Sequence, residues 1–416
     1  MARAIVLCVI LAISAFSAQF WVHSQNGDDG FGGTSPDSAF ATIGAATNAM
    51  GEGDTAFICG VFQETVTLEN GQHEGTSFLA WPDSAYWTVD GEETRRCIVF
   101  NSGVGTNGEP MATVRNLKAI AGSDYNIYVN TGNYISFASC TIAINAFTGM
   151  FITNSVVFVD SSHFDANTPL NIRGSAFRIR NSRLLGDFLC VNLNTSHTTF
   201  TSIGNFYSAE RGVYFNTSSS SVFIEDEFRC SVYSASTSTS GNGLHHFKRC
   251  LFVGGDIGIF GYRCQKLSLI NCTMDSVKRA IDWHAGQANV TLYNTIIANA
   301  DTALRSIDFL TSEGLVIFNA IVDTSNITTP IEYHTFDPEL DSLKIAQAST
   351  ARQIGTNADA PFTPPLWDDR GFWFRDEHGR PAVGWRSPYE TTGWPTGGAT
   401  ADARKWHMST PGRRLR

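Results

Sequence analysis

Asp282 and His284 stand two positions apart, and in an extended strand side chains two apart leave the same face. Arg305 follows one period later in the repeat described below. A carboxylate or an imidazole with a guanidinium beside it can take a proton from the carbon next to a sugar carboxylate while the arginine holds that carboxylate. These three residues are the candidate catalytic group. The ordinary alternative is an exposed ion pair, which contributes little. Arg173, Tyr214, Asn216 and Tyr262 are the candidate substrate-binding residues. Tyrosine rings match the C–H surfaces of sugars, and amides and guanidinium groups match their hydroxyl edges. A solvated sheet tolerates the same residue types, so the case rests on an element that brings them together.

Such an element is visible as an internal repeat. The segments SCTI (139–142), SSHF (161–164), NSRL (181–184), IGNF (203–206), EDEF (225–228), RCLF (249–252), NCTM (271–274), NTII (294–297) and NAIV (319–322) place an apolar residue three after a residue that is small or polar in nearly every case. They recur about every 22 residues, a period in the solenoid range. A second series interleaves with them: NIYVN (126–130), FITN (151–154), PLNIR (169–173), FLCVN (188–192), GVYFN (212–216), GIFGY (258–262), AIDWH (280–284) and ALRSI (303–307). Two to three short strands per period leave no room for a helix in each repeat, which excludes helical solenoids and doubly wound α/β folds. The pattern predicts an all-β chain, a right-handed parallel β-helix of about ten coils, with each strand pairing with its counterpart one coil on. Like residues then form columns. Asn181, Asn271, Asn294 and Asn319 share a turn column where amides can hydrogen-bond along the stack, and Cys140, Cys250 and Cys272 share the next. With the aliphatic positions inward, the outward pairs are Tyr128/Asn130, Asn171/Arg173, Cys190/Asn192, Tyr214/Asn216, Phe260/Tyr262, Asp282/His284 and Arg305/Ile307. All seven candidate residues fall in this outward set.

The ends of a solenoid expose core and strand edges. Residues 38–50 supply a capping helix, with Ser38 as N-cap, Phe40, Ile43 and Met50 near one face, and Gly51 and Gly53 as the stop. After Pro330 the period fades, so 331–416 is expected to be an irregular closing segment and a Trp/Pro-rich tail packed back on the coils. The divisions expected are a leader over 1–18, cap and first coils over 19–100, the β-helix over 101–330 and the closing segment over 331–416.

The chain has 416 residues, a net charge of −10 and only 16% charged residues. It lacks the basic footprint that nucleic acid requires. Few charges with many small polar and β-branched residues fit a β-rich exported protein. Arg3, the apolar run from Ile5 to Phe16, and Ala18 read as a cleavable leader, too short to span a bilayer comfortably, with a mature start near Gln19. No second apolar stretch long enough to cross a membrane follows. Cys8 would leave with the leader. Cys59, Cys97, Cys140, Cys190, Cys230, Cys250, Cys264 and Cys272 remain, an even number that permits disulfides in an exported chain. Aligned parallel strands rarely offer disulfide geometry, so small buried thiols are favoured, and no spacing fits a zinc site.

A more specific likeness lies between Trp21 and Phe62. Trp21-Val22, Gly27-Asp28-Asp29, Gly33-Thr34-Ser35, Phe40 with Thr42-Ile43, Gly53-Asp54-Thr55 and Gly60 with Phe62 follow one another in order. This run resembles the N-terminal region of secreted right-handed β-helix proteins of the pectate-lyase-like superfamily. Asp337-Pro338 and the segment 376–390 (DEHGRPAVGWRSPYE) resemble the superfamily's closing region. The resemblance implies the fold over most of 20–390. It says little of activity, because the fold hosts lyases, hydrolases, esterases, adhesins and phage spikes. None of the superfamily's recognisable catalytic signatures is present.

Three further features carry weaker chemistry. The loop from Asn26 to Thr34 could offer oxygens to Ca²⁺, the one cofactor candidate, although a Gly/Asp turn is the simpler reading. Asp124, Glu210, Asp256, Lys278 and Asp301 form an acidic column in which paired carboxylates could suit glycoside hydrolysis, against a solvated ladder of alternating charge. Residues 231–243 read as a mobile loop enlarging one coil. The function expected is that of an exported β-helix protein facing a polysaccharide or surface glycan, binding it and, as a lyase or hydrolase, able to cleave it. The alternative is a non-enzymatic adhesion or phage tail-spike attachment protein.

Overall fold

The computed structural model describes residues 17–322, apart from 70–72, 105–111, 144–146, 195–197, 217–218, 239–242, 263, 285–287, 308 and 314, together with a few residues after 322. The expected leader, but for its last two residues, and nearly all of the expected closing segment and tail lie outside the described residues. The chain divides into two compact units, one of residues up to 179 with 184–200, the other of 180–183 with the residues from 201 onward.

Both units are stacks of coils, each coil built from short strands that pair in parallel with the equivalent strands of the next coil, about 11 coils in all. In the first unit one wall contains Gln19–His23, Thr55–Cys59, Ser77–Ala80, Ala112–Arg115, Tyr134–Ala138 and Val156–Asp160. A second wall contains Ile98–Phe100, Tyr125–Val129, Thr148–Thr153, Thr168–Arg173 and Leu189–Leu193. A third contains Leu117–Ile120, Thr141–Ala143 and His163–Ala166. The second unit repeats the plan, with Ser220–Ile224, Leu244–Lys248, Cys264–Ile270, Ala288–Tyr293 and Phe309–Glu313 along one wall. The wall that bears on function holds Phe206–Phe215, Glu227–Thr237, Ile257–Gly261, Arg279–Trp283 and Thr302–Arg305.

Eight of the nine recurring sequence segments mark one corner of the coil. Ser139, Ser161, Asn181, Gly204, Glu225, Arg249, Asn271 and Asn294 all have φ between 47° and 65°. Asn319 does not share their column: it turns the next corner, after Val316–Phe318, and its Nδ2 donates to Asn299 Oδ1 at 3.1 Å, because Val316–Phe318 pairs with Ile296–Ala298. A single left-handed residue turns the chain from one wall to the next, and this conformation favours Asn and Gly. That is why asparagines recur there. The backbone N–H of Ser139, Asn181, Gly204, Glu225, Arg249 and Asn271 reaches a carbonyl of the coil that follows, as in Asn181 to Ile203 O at 3.0 Å, Arg249 to Ile270 O at 2.8 Å and Asn271 to Tyr293 O at 2.9 Å. An amide ladder is therefore a lesser reason for these asparagines than the backbone conformation. At IGNF the corner is Gly204, so the inward residue three later is Tyr207, fully buried, rather than Phe206.

The residue after each corner points inward and is small and polar. Its backbone N–H is removed from water, and a buried donor needs a partner. The side chain one coil on supplies it: Cys140 N–H donates to Ser162 Oγ at 3.1 Å, Ser182 N–H to Asn205 Oδ1 at 2.7 Å, and Asn205 N–H to Asp226 Oδ1 at 2.7 Å. Cys250 and Cys272 occupy the same column, and their thiols donate to Lys248 O at 3.5 Å and Phe247 O at 3.4 Å. All eight cysteines that follow the leader are free thiols. Between the walls lie ladders of rings on successive coils. Phe223 and Phe247 stack at 4.6 Å, Phe228 and Phe252 at 5.0 Å, and Tyr207 and Phe228 at 4.7 Å.

The N-terminal cap forms later than expected. Pro36–Ser38 is a short 3-10 turn, and the helix α1 is Ile43–Ala49 with Thr42, not Ser38, as N-cap. Thr42 Oγ1 accepts from Ala45 N–H at 3.1 Å, and the Glu64 carboxylate accepts from Ile43 and Gly44 N–H at 2.8 and 3.0 Å. These acceptors satisfy the otherwise open first turn. Phe40, Ile43 and Met50 are buried as the pattern implied. Residues 231–237 are also not a loop. They complete the long strand Glu227–Thr237, paired along Phe206–Phe215 with one irregularity between Ala209 and Arg211.

The corner sets one stability test. Ser139 is exposed with φ 54°. Ser139→Val should lower unfolding free energy by about 1–2 kcal/mol, because a β-branched residue resists the left-handed region. Ser139→Asn and Ser139→Gly should be close to neutral in the same denaturant titration.

Buried Asp226 sets a second. Desolvation pushes its carboxyl up to about 8, against the hydrogen bonds that favour the charged form. In the folded chain it keeps its proton to that pH, whereas the unfolded chain releases it near pH 4. The folded state thus binds more protons in this window, and stability falls as pH rises from about 4 to 8. Burial pushes His245 down to about 3, so its contribution is lost only as pH falls below about 6.5. Burial also pushes the Cys97, Cys140, Cys230 and Cys264 thiols up to about 12, so they add a decline of the same sign as pH nears the unfolded thiol range. Urea midpoints between pH 6.5 and 7.5 therefore read mainly the carboxyl, and Asp226→Asn should flatten the decline seen there in the parent chain.

Candidate functional site

In the second unit the functional wall aligns Val213, Ala235, Ile259, Ile281 and Leu304 in one register row. All five are buried, so the alternate row faces out. That outward row is Tyr214, Ser236, Phe260, Asp282 and Arg305, with Asp282 between Phe260 and Arg305. Two residues further along their strands stand Asn216, Tyr262 and His284. The rings of Tyr262 and His284 meet edge to face at 5.3 Å, and Phe260 lies 5.1 Å from Tyr262 and 6.1 Å from His284. Tyr262 is held by its N–H, which donates to Thr237 Oγ1 at 3.0 Å. Tyr233 stacks on Phe260 at 6.0 Å, and the Arg211 guanidinium lies 5.1 Å over the Tyr233 ring. His284 and Arg305 are exposed, while Tyr214, Asn216, Phe260 and Tyr262 are half-buried.

Asp282 differs from the expectation of an accessible carboxylate. It belongs to the outward row, yet it is only 3% exposed. Its Oδ2 is paired with Arg279 Nη1 and lies 3.7 Å from Arg305 Nη1. One carboxylate thus orients two guanidinium groups. Arg279 escaped sequence reading because it has the parity of inward Ile281 and Trp283. It starts its strand, where the chain has just left a corner and simple alternation does not hold. Behind this group sits Trp283, fully buried. A Cβ on Gly261, its register partner, would come within 2.1 Å of the Trp283 ring, so the glycine makes the space that the indole fills.

Arg173 lies in the first unit. There the outward row is Val99, Tyr128, Phe151, Asn171 and Asn192. Tyr128 stacks on Phe151 at 5.7 Å with an interplanar angle of 7°, Tyr125 lies 4.8 Å from Phe151, and the Arg173 guanidinium lies 4.8 Å over the Phe151 ring. Besides Asp282, two of the expected outward residues are buried instead. Cys190 is fully enclosed because alternation does not yet hold at the start of its strand, where Leu189, Cys190 and Val191 are all buried, and its thiol donates to Leu184 O at 3.5 Å. Ile307 is enclosed because Ser306 takes φ 56° and ends the alternation after Arg305.

The weaker candidates resolve into structural roles. Asp29 accepts from Ala41 and Thr42 N–H at 2.8 and 2.9 Å and from Thr42 Oγ1 at 2.8 Å, and Asp28 accepts from Gly30 N–H at 2.9 Å, so the glycine-rich loop is a turn tied to the cap. Among the described residues no group of three or more His, Cys, Asp or Glu could hold a metal ion. In the acidic column Asp256 pairs with exposed Lys278 at 2.5 Å, and Asp124 pairs with Arg96. No helix among the described residues is long and apolar enough to cross a membrane.

No family model matches the chain, and no curated protein matches it. Solved structures do. The structure of XylC in complex with xylose aligns with a TM-score of 0.50 at 10% identity, over 78% of this chain and 87% of that one. Pectate lyase Pel9A gives 0.42 at 14% identity over 89% and 96%, and the GH136 lacto-N-biosidase from Eubacterium ramulus gives 0.43 at 9% identity over 73% and 67%. The chain is a parallel β-helix, the fold it shares with XylC. At these identities the likeness concerns the fold, and function has to be argued from the site.

Gly261→Ala tests the packing behind the site. It should cost about 1–3 kcal/mol by overpacking against Trp283, and the near-ultraviolet circular dichroism of the folded protein should change with it.

Proposed function

We propose that the protein is an exported β-helix that binds a polysaccharide along the outward row of its second unit, through Tyr214, Asn216, Tyr262, His284 and Arg305; Arg173, on the first unit, is a separate candidate contact. The observation that carries this reading is the grouping of Tyr262, His284 and Phe260 within 5.1–6.1 Å of one another on the wall that also presents Arg305. Rings offer a sugar their faces and edges, and an exposed guanidinium offers charge-assisted donors beside them. A polymer running across the strands meets one such position about every 4.8 Å, so weak contacts add. The carbohydrate class is supported by XylC, which shares this fold and whose structure holds xylose.

Asp282 acts here as a positioning residue. It is covered, and its charge holds Arg279 and Arg305 in place. A second reading, cleavage by a lyase, rests on the exposure of His284 beside Tyr262. Imidazole is the side chain most often used as a general base. In that reading Arg305 binds a uronate carboxylate, His284 takes the C5 proton beside it, the electron pair forms the C4–C5 double bond, and the C4–O bond breaks, the leaving sugar's oxygen taking a proton from solvent.

Calorimetry of the secreted chain against a polysaccharide panel tests binding. Tyr262→Ala should weaken it by about 0.5–1.5 kcal/mol, and Asp282→Asn should weaken it through a loosened Arg305. A panel without a single binder, or unchanged affinity in both variants, would overturn the reading. Release of 4,5-unsaturated ends, abolished in His284→Gln at unchanged affinity, would establish cleavage.

A further inference from the structure

We propose that the stack in the first unit is an anion-binding subsite with Arg173 as its receptor, and hence that the glycan carries carboxylate or sulfate groups. The inference rests on the proposed polysaccharide binding and adds the charge of the ligand. Four successive positions along the wall build the stack. The Arg96 guanidinium lies 4.7 Å over Tyr128 and 5.2 Å over Tyr125. Those rings pack on Phe151 at 5.7 and 4.8 Å, and Phe151 carries Arg173 on its other side at 4.8 Å. A cation therefore closes each end of a run of rings. Ring faces attract cations, so both guanidinium groups are held over the rings.

The two ends differ in what their donors meet. Arg96 Nε and Nη2 donate to the two oxygens of Asp124 at 3.0 and 2.7 Å, a bidentate pair that occupies the fork. The hydrogen bond from Arg96 is the first cause holding the Asp124 carboxyl down at about 2, so it stays charged. Arg173 forms no ion pair among the described residues and is exposed. A guanidinium lying on a ring keeps its N–H donors in the plane, directed away from the ring. Phe151, itself 7% exposed, gives it a fixed seat. Arg173 is thus a planar fork with its direction set and its charge uncompensated. A carboxylate or a sulfate oxygen pair matches that fork, whereas a neutral hydroxyl satisfies one donor and leaves the charge unmatched. Asn171, two positions earlier on the same strand, leaves the same face and places an amide beside it.

The test measures affinity of the full chain for polygalacturonate, for its fully methyl-esterified form and for a sulfated galactan. The acidic polymer carrying the correct anion should bind at least about tenfold more tightly than the neutral ester, and comparison of the uronate and sulfate polymers identifies the anion. Arg173→Gln should remove that preference, and Arg173→Lys should restore only part of it because an ammonium lacks the fork. Thermal melts of both variants check that this exposed substitution leaves the fold intact. Equal affinity for acid and ester, or a preference unchanged in Arg173→Gln, would overturn the subsite. If a neutral glycan binds in a Tyr262-dependent way while the acidic polymers bind no better, the subsite fails and the binding reading stands. If none of the polymers or panel glycans binds, both fail.

Discussion

From Ser139 to Asn294 each coil turns one corner on a single left-handed residue, and the next N–H is then buried where the following coil can satisfy it. The corner residue bonds to a carbonyl one coil on, and its inward neighbour bonds to a small polar side chain one coil on, as Ser182 does to Asn205 and Asn205 to Asp226. A buried N–H without an acceptor would cost more than most single contacts supply. The period of the chain is therefore fixed by hydrogen bonding rather than by apolar content. A coil longer or shorter at the corner would leave donors open on both neighbours. Extra residues can enter only elsewhere, which is where the spacing between successive corners varies.

A fixed period makes columns, and columns make the surface a set of stacks. Inside, the result is ladders such as Phe223 on Phe247 and Phe228 on Phe252. Outside, the same geometry brings rings and cations into contact without any element dedicated to the purpose. Tyr128 and Phe151 are register partners, and Arg96 and Arg173 settle on the stack they begin. In the second unit Phe260, Asp282 and Arg305 follow one another for the same reason. Whether a stacked arginine is available to a ligand depends on a carboxylate one coil away. Asp124, one coil on, occupies Arg96, while Arg173 has no such neighbour among the described residues.

This logic explains what was legible in the sequence. The corner segments stood out because the left-handed region restricts residue type and the inward neighbour must be small and polar. Both are composition signals that repeat. The strands stood out because aliphatic residues alternate, and the pairing of Ile281 with Leu304 and of Asp282 with Arg305 follows from that alternation alone. Sequence reading failed where alternation breaks. Arg279 and Ile307 each adjoin a turn, and a turn resets which side chains face in. Residues 231–237 were taken for a loop because serine and threonine dominate them, yet a paired backbone accepts such residues when the neighbouring coil supplies the ladder. The helix start was misplaced by a few residues because its first turn is satisfied by Glu64, a carboxylate distant in sequence.

The burial of Asp282 bears on what chemistry this face can perform. A general base must reach the proton it removes, and a carboxylate that is covered and already paired with a guanidinium is poorly placed to do so. Its covering follows from the same column rule. Arg279 begins the strand at a corner, close enough for its guanidinium to reach back over the carboxylate three residues on, and Arg305 stands one coil further in register. The acid thereby becomes the fixed point of a cationic patch, and the titratable side chain left facing solvent beside the rings is His284. Any bond-breaking step would have to be carried by the imidazole at its edge, because the carboxylate's interactions are already committed to the arginines.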